Sequence, residues 1–169
     1  SAGKSNIATA PGVDAIDLYV ADPGNSTTIG HRRWILSNSL GPIGLGTTSS
    51  YSCLQVIGGS GQAGKQYVPF PPAGEVPLQM FTASFSSLDQ TGWTIQSDSI
   101  TMGGAQVTVT DAGAAKPVTV TQLQGGYGSA HAIRFNPQGW TTQAGHTYSV
   151  SVTGASQPIS YDVKVVSCN

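Results

Sequence analysis

The chain closes on Thr147-Tyr148-Ser149-Val150-Ser151-Val152-Thr153 and Tyr161-Asp162-Val163-Lys164-Val165, and this text decides the fold class. Apolar residues alternate with Ser, Thr, Asp and Lys. Successive side chains of a strand point to opposite faces, so a period of two marks a strand with one face buried and one wet. Working back along the chain, the same alternation returns at Ile133/Phe135, Val118/Val120, Val107/Val109, Trp93/Ile95 and Phe81/Ala83/Phe85. Turn text separates the runs: Gln90-Thr91-Gly92, Gly103-Gly104, Asp111-Ala112-Gly113, Gly125-Gly126 and Gln143-Ala144-Gly145. Roughly seven short strands at this spacing predict an antiparallel β-sandwich over residues 78–169.

Residues 67–77 carry four prolines and read as a stiff, extended connector, with the boundary at 71–77. Upstream, residues 1–70 hold the only helix-like text. Val13, Ile16, Tyr19 and Val20 share one face at helical spacing, between Pro11-Gly12 and Asp22-Pro23-Gly24-Asn25. A second helix is expected from Ser26 or Thr27 through Leu36, ended by Leu40-Gly41-Pro42. The segments Ile43–Gly46 and Tyr51–Ile57 then read as paired strands. The fold class expected is α+β, mostly β.

Charged residues are scarce, 7 Lys and Arg with 8 Asp and Glu, and the net charge is −1. Phosphate backbones and anionic membranes are held by clustered Lys and Arg, so nucleic acid is excluded as a partner. No apolar run approaches the ~18 residues of a membrane span. A chain that begins at Ser1 with no initiator Met reads as a processed product. Cys53 and Cys168, with low charge and abundant Ser and Thr, point to an oxidising, extracellular location. The two cysteines are read as a bridge, with two free thiols as the alternative.

The run Gly30-His31-Arg32-Arg33-Trp34-Ile35-Leu36-Ser37, followed by Gly41-Pro42-Ile43-Gly44-Leu45-Gly46, resembles the bacterial branch of the CAP superfamily, the SCP-like relatives of cysteine-rich secretory, antigen 5 and pathogenesis-related proteins. Ser5-Asn6-Ile7-Ala8 is similar to that family's Glu-Asn-Ile/Leu-Ala segment. Phe70-Pro71-Pro72-Ala73-Gly74 is similar to its exit into a second domain, for which the later strands resemble an Ig-like module. The resemblance spans residues 3–75 and implies the C-terminal half of an α-β-α domain. It implies a secreted or cell-surface protein that binds lipid, glycan or protein. It also implies a cavity histidine at His31. The family's first half, with its own histidine, is not in this chain, and Ser5 stands where the family has Glu. The expected partner is accordingly a cleaved N-terminal fragment of such a domain, or another subunit.

Chemistry gathers around His31. An imidazole can serve as general base or metal ligand. A catalytic zinc site needs three protein ligands, and only Asp14, Asp17 or Asp22 stand close in sequence, so no metal and no cofactor are assigned. A helix-start histidine kept for structure is the plainer reading. Arg32 and Arg33 suit bidentate carboxylate binding, or a salt bridge to a helix aspartate. Trp93 reads as core; Trp140, beside Gly139, reads either as core or as a stacking platform. Serines abound without a Gly-x-Ser-x-Gly elbow, which opposes a serine-hydrolase triad. Two functions therefore compete: a non-enzymatic binding protein, and a peptidase-like hydrolase whose site a missing half completes around His31.

Overall fold

The computed structural model describes residues 2–83 and 86–168. The elements run β1 (Ser5–Ala8), α1 (Asp14–Ala21), α2 (Gly30–Ile35), β2 (Gly44–Thr47), β3 (Ser52–Gln55), β4 (Val68–Phe70) and β5 (Gly74–Pro77). There follow β6 (Thr82–Ala83), β7 (Ser86–Ser87), α3 (Leu88–Thr91), β8 (Trp93–Ser97), β9 (Gln106–Asp111) and β10 (Ala114–Lys116). The last four are β11 (Val118–Gln122), β12 (His131–Pro137), β13 (Thr147–Thr153) and β14 (Ile159–Val166). The chain is mostly β, with short helices. Its sheets have the orders β1-β3-β2, β10-β9-β13-β14-β5 and β11-β12-β8-β4, plus the small pair β6-β7. Pairing is antiparallel throughout except between β14 and β5.

The period-two text behaves as expected. In β13 and β14 the residues Tyr148, Val150, Val152, Ile159, Tyr161, Val163 and Val165 are buried, and their strand neighbours are exposed apart from the part-buried Val166. They share one apolar core with Trp93 and Ile95 of β8 and Ile133 and Phe135 of β12, so the two larger sheets bury a common interior. Ala112 and Gly113, at φ 48° and 84°, form the tight turn between β9 and β10. Such positive-φ pairs match the twist of antiparallel strands.

β8 departs from alternation, because all five of its residues are buried. Trp93 and Ile95 face the common core. Thr94 and Gln96 face the N-terminal helical unit, where the Gln96 side-chain amide donates to the carbonyls of Arg33 and Leu36 at 3.2 and 2.8 Å. The four-stranded sheet thus has apolar strands on one side and helices on the other.

The helical unit has its own core of Ala8, Ala15, Tyr19, Leu54 and Val56, with Ile16, Trp34 and Ile35 packed against it. An eight-residue helix is marginal alone, so this packing holds α1 together. Asp14 and Asp17 favour its start by opposing the helix dipole, and Asp22 ends it at φ 52° with its N–H on the Leu18 carbonyl. Ile16 and Tyr19 face inward as the spacing predicts. Val13 is 79% exposed because it precedes the first turn. The second helix is shorter than expected. Asn25 to Ile29 form a turn with the Asn25 carbonyl accepting from Thr28 and Ile29, and Ile29 at φ 46° breaks helical continuity.

The proline-rich stretch does more than connect. β4 is an edge strand on β8, and β5 is an edge strand on β14, so residues 68–77 step from one large sheet to the other. Edge strands tolerate Pro69 and Pro77 because a missing N–H costs nothing on an unpaired side. Around Phe81 the chain makes a 3-10 turn, Leu78–Phe81, which buries Phe81. Phe85, expected to continue a strand there, lies outside the described residues. Gln90-Thr91, read as a turn, end a capped helical turn in which Ser87 and Gln90 form a capping box. No helix among the described residues is long and apolar enough to cross a membrane.

Candidate functional site

α1 ends and α2 begins around one buried carboxylate. Asp22 is 2% exposed. Its oxygens accept from His31 Nδ1 at 2.8 Å, from the His31 backbone N–H at 3.0 Å, from the Arg32 N–H at 3.4 Å and from Asn25 Nδ2 at 3.2 Å. A buried carboxylate is tolerated only with such a set of donors. The left-handed Asp22 backbone aims the carboxylate at the first turn of α2. Among the described residues, no other His–Asp contact has a carboxylate this buried.

His31 keeps a side chain 41% exposed while Nδ1 is held by Asp22. Nε2 is left as its second proton-exchanging nitrogen. The Asp22 hydrogen bond raises its pKa above the ordinary histidine value, against an opposing effect of partial burial. The ring lies 5.8 Å from that of Tyr19, whose hydroxyl donates toward the Asn6 and Ser52 carbonyls at 3.1 Å each. Asn6 in turn donates to the His31 carbonyl at 2.9 Å, tying β1 to α2. The arrangement can hold and exchange a proton. Among the described residues no Ser, Thr or Cys side chain hydrogen-bonds the His31 ring, and no three His, Cys, Asp or Glu side chains group as metal ligands.

Arg32 and Arg33 are both 0% exposed. Arg32 donates to the carbonyls of Val20 (2.6 Å), Ala21 (3.2 Å) and Gly92 (2.7 Å) and to the Thr91 hydroxyl (2.9 Å), and its guanidinium lies 5.2 Å from the Phe70 ring centroid. Burial pushes its pKa down to about 10, which still leaves it charged at neutral pH. Arg33 donates to Thr28 and Gln124 carbonyls at 3.0 and 2.6 Å and to Ser129. The loop that supplies Gln124 and Ser129 comes so close that a Cβ at Gly128 would sit 2.3 Å from the Arg33 carbonyl oxygen. The two arginines therefore stand inside the protein, clamping α2 to the strands through neutral carbonyls, rather than on a carboxylate-binding surface. Among the described residues neither arginine forms the salt bridge read for it: Asp22 is met through the Arg32 backbone N–H.

Trp140 is half-buried and committed to its neighbours. Its Nε1 donates to the Pro117 carbonyl at 2.7 Å, its ring stacks on Tyr148 at 5.2 Å, and Lys116 Nζ lies 5.9 Å from its centroid. Beside it, His146 Nδ1 meets Asp111 at 2.7 Å, a pair that sequence spacing did not bring together. Cys53 on β3 and Cys168 near the C-terminus are both exposed free thiols.

A broad concavity lies away from His31. It is an open groove of about 710 Å³ on the three-stranded sheet, lined by Ile7, Leu45, Gly46, Tyr51, Cys53 and Gln55 among others, with no charged side chain. Asn6, Ala8, Ser52 and Leu54 point to the helices and are buried, so Ile7, Cys53 and Gln55 occupy the opposite face. Ile7 and Leu45 are each 52% exposed and Tyr51 59%. Comparisons with family models, with curated proteins and with solved structures find no match for this chain.

Proposed function

We propose that the chain is a secreted or cell-surface binding protein, non-enzymatic as it stands. In this reading residues 1–70 are the C-terminal half of a CAP-like domain and residues 78–169 an Ig-like β-sandwich. The ligand is a polypeptide, the N-terminal half of such a domain, and it covers the open face of β1-β3-β2. The observation that carries the reading is the one-sidedness of β1 and β3: helices bury one face of these strands, and Ile7 and Tyr51 stand more than half exposed on the groove side. Apolar side chains exposed together on a surface mark a place where a partner seats. The uncharged lining suits an apolar helix face better than an anionic lipid headgroup or a charged glycan.

Cys53 supplies the test. It lies in the groove, and Cys168 lies outside it as an internal control. Alkylation is followed by mass spectrometry on protein purified from its natural source, alongside native mass measurement. The expected result is slow labelling of Cys53, rapid labelling of Cys168, and a second polypeptide in the native particle that is helical and carries a histidine. Equal labelling rates with a native mass of 17.3 kDa would overturn the reading.

The Asp22–His31 pair favours a second reading, a peptidase-like hydrolase. Here His31 acts as base, Asp22 holds its tautomer, and the nucleophile or metal comes from a segment of the missing half that reaches the helix side of the sheet, away from the groove. Hydrolysis by the two-chain particle that survives His31→Ala would remove it.

A further inference from the structure

A second concavity of about 190 Å³ separates the Asp22–Ile29 turn from the strands. Its walls are Asp22, Ser26, Ser86, Gln90, Thr91 and Arg134, with Pro23, Gly24 and Ile29. Arg134 sits on β12 opposite Thr94, on the sheet face that meets the helical unit, while Ile133 and Phe135 on either side point into the core. Its Nε is buried without a hydrogen-bond partner. Among the described residues no carboxylate lies within ion-pair distance of it. Asp22 shares the cleft but is taken up by His31, Arg32 and Asn25. A buried donor with no acceptor costs about 1–3 kcal/mol, and native structures rarely carry one without a reason.

We propose that this cleft binds a carboxylate, taken bidentately by the Arg134 guanidinium and flanked by the polar side chains of Ser26, Ser86, Gln90 and Thr91. Planar guanidinium matches planar carboxylate in both spacing and charge. Buried Arg32 nearby adds a second positive charge, and the Asp22 carboxylate subtracts one. The balance favours a monoanion over a phosphate dianion. The volume falls below the ~300 Å³ of ordinary small-molecule sites, so the cleft accepts a small acid or the end of a longer chain. It is separate from the sheet groove, and shares no lining residue with it.

The test is NMR titration of the intact chain, following the Arg134 Nε–H and the Gln90 and Thr91 amides. The probes are N-acetylglycine, its neutral amide, inorganic phosphate, and Ala-Ala-Gly with a free C-terminus. N-acetylglycine is expected to shift these signals saturably and the amide at least tenfold more weakly. Arg134→Gln should weaken the acid at least tenfold, and Arg134→Lys, which keeps the charge without the fork, by less. Tighter binding of Ala-Ala-Gly assigns the source as a chain end, and equal binding assigns a free acid. Indistinguishable acid and amide, or phosphate binding more tightly than the acid, would overturn the proposal. The acid–amide comparison needs no variant and stands if Arg134→Gln fails to fold.

Discussion

Replacing Arg32 by Met tests whether the helical unit and the strands depend on one buried cation. Met retains much of the stem's volume and removes the fork. Three carbonyls lose their donor, those of Val20, Ala21 and Gly92. At about 1–3 kcal/mol per orphaned buried group, the loss is roughly 6 kcal/mol at the middle of the range. The net cost of a buried guanidinium, its desolvation and its repulsion by Arg134 less its attraction to Asp22, is relieved in return. A pKa lowered from 12.5 to about 10 corresponds to about 3 kcal/mol at 1.36 kcal/mol per unit. The net destabilisation is therefore about 3 kcal/mol, or a melting temperature lower by roughly 6–12 °C for a chain of this size. Calorimetry of wild type and variant measures it, with urea unfolding as a check on the slope. Arg32→Lys should lose a comparable amount, because one ammonium cannot reach acceptors on both sides. A melting point within about 2 °C of wild type for Arg32→Met would show that the carbonyls find other partners, and the clamp reasoning would fail.

The Asp22–His31 pair makes a pH-dependent contribution. The folded pKa of His31 is raised, so its stabilisation is fully present below the unfolded value near 6.5 and is lost as pH rises through the higher folded value. Melting temperatures between pH 5.5 and pH 8.5 should show this fall in wild type, and His31→Gln should flatten it. Tyr19→Phe removes the donor to the Asn6 and Ser52 carbonyls and should cost about 1–2 kcal/mol in denaturant unfolding, with no change in secondary structure by circular dichroism. Ala112→Asn converts the β9–β10 turn to Asn-Gly, which accepts positive φ more readily, and should stabilise by about 0.5–1 kcal/mol in thermal unfolding.

Legibility differed sharply between strands and site. In β13, each alternate residue from Tyr148 to Val152 announces its own burial, because pleating is a local property of the backbone. His31 was legible as a chemical group, and Asp22 as one of three nearby acids. Nothing local distinguishes Asp22 from Asp14 or Asp17. The choice follows from the left-handed turn that folds its carboxylate back onto α2.

The sequence alone thus determined a mostly β chain, most of its turns and the inward residues of its long strands. Only the tertiary structure decided that two consecutive arginines are interior. Their acceptors Gly92, Gln124 and Ser129 lie about 60 to 96 residues away, and a side chain's solvation depends on what packs over it. The same holds for β8, where Thr94 and Gln96 read as wet but meet the helices. It holds again for residues 68–77, where prolines that spell a connector become edges of two sheets once β8 and β14 are present to pair with them.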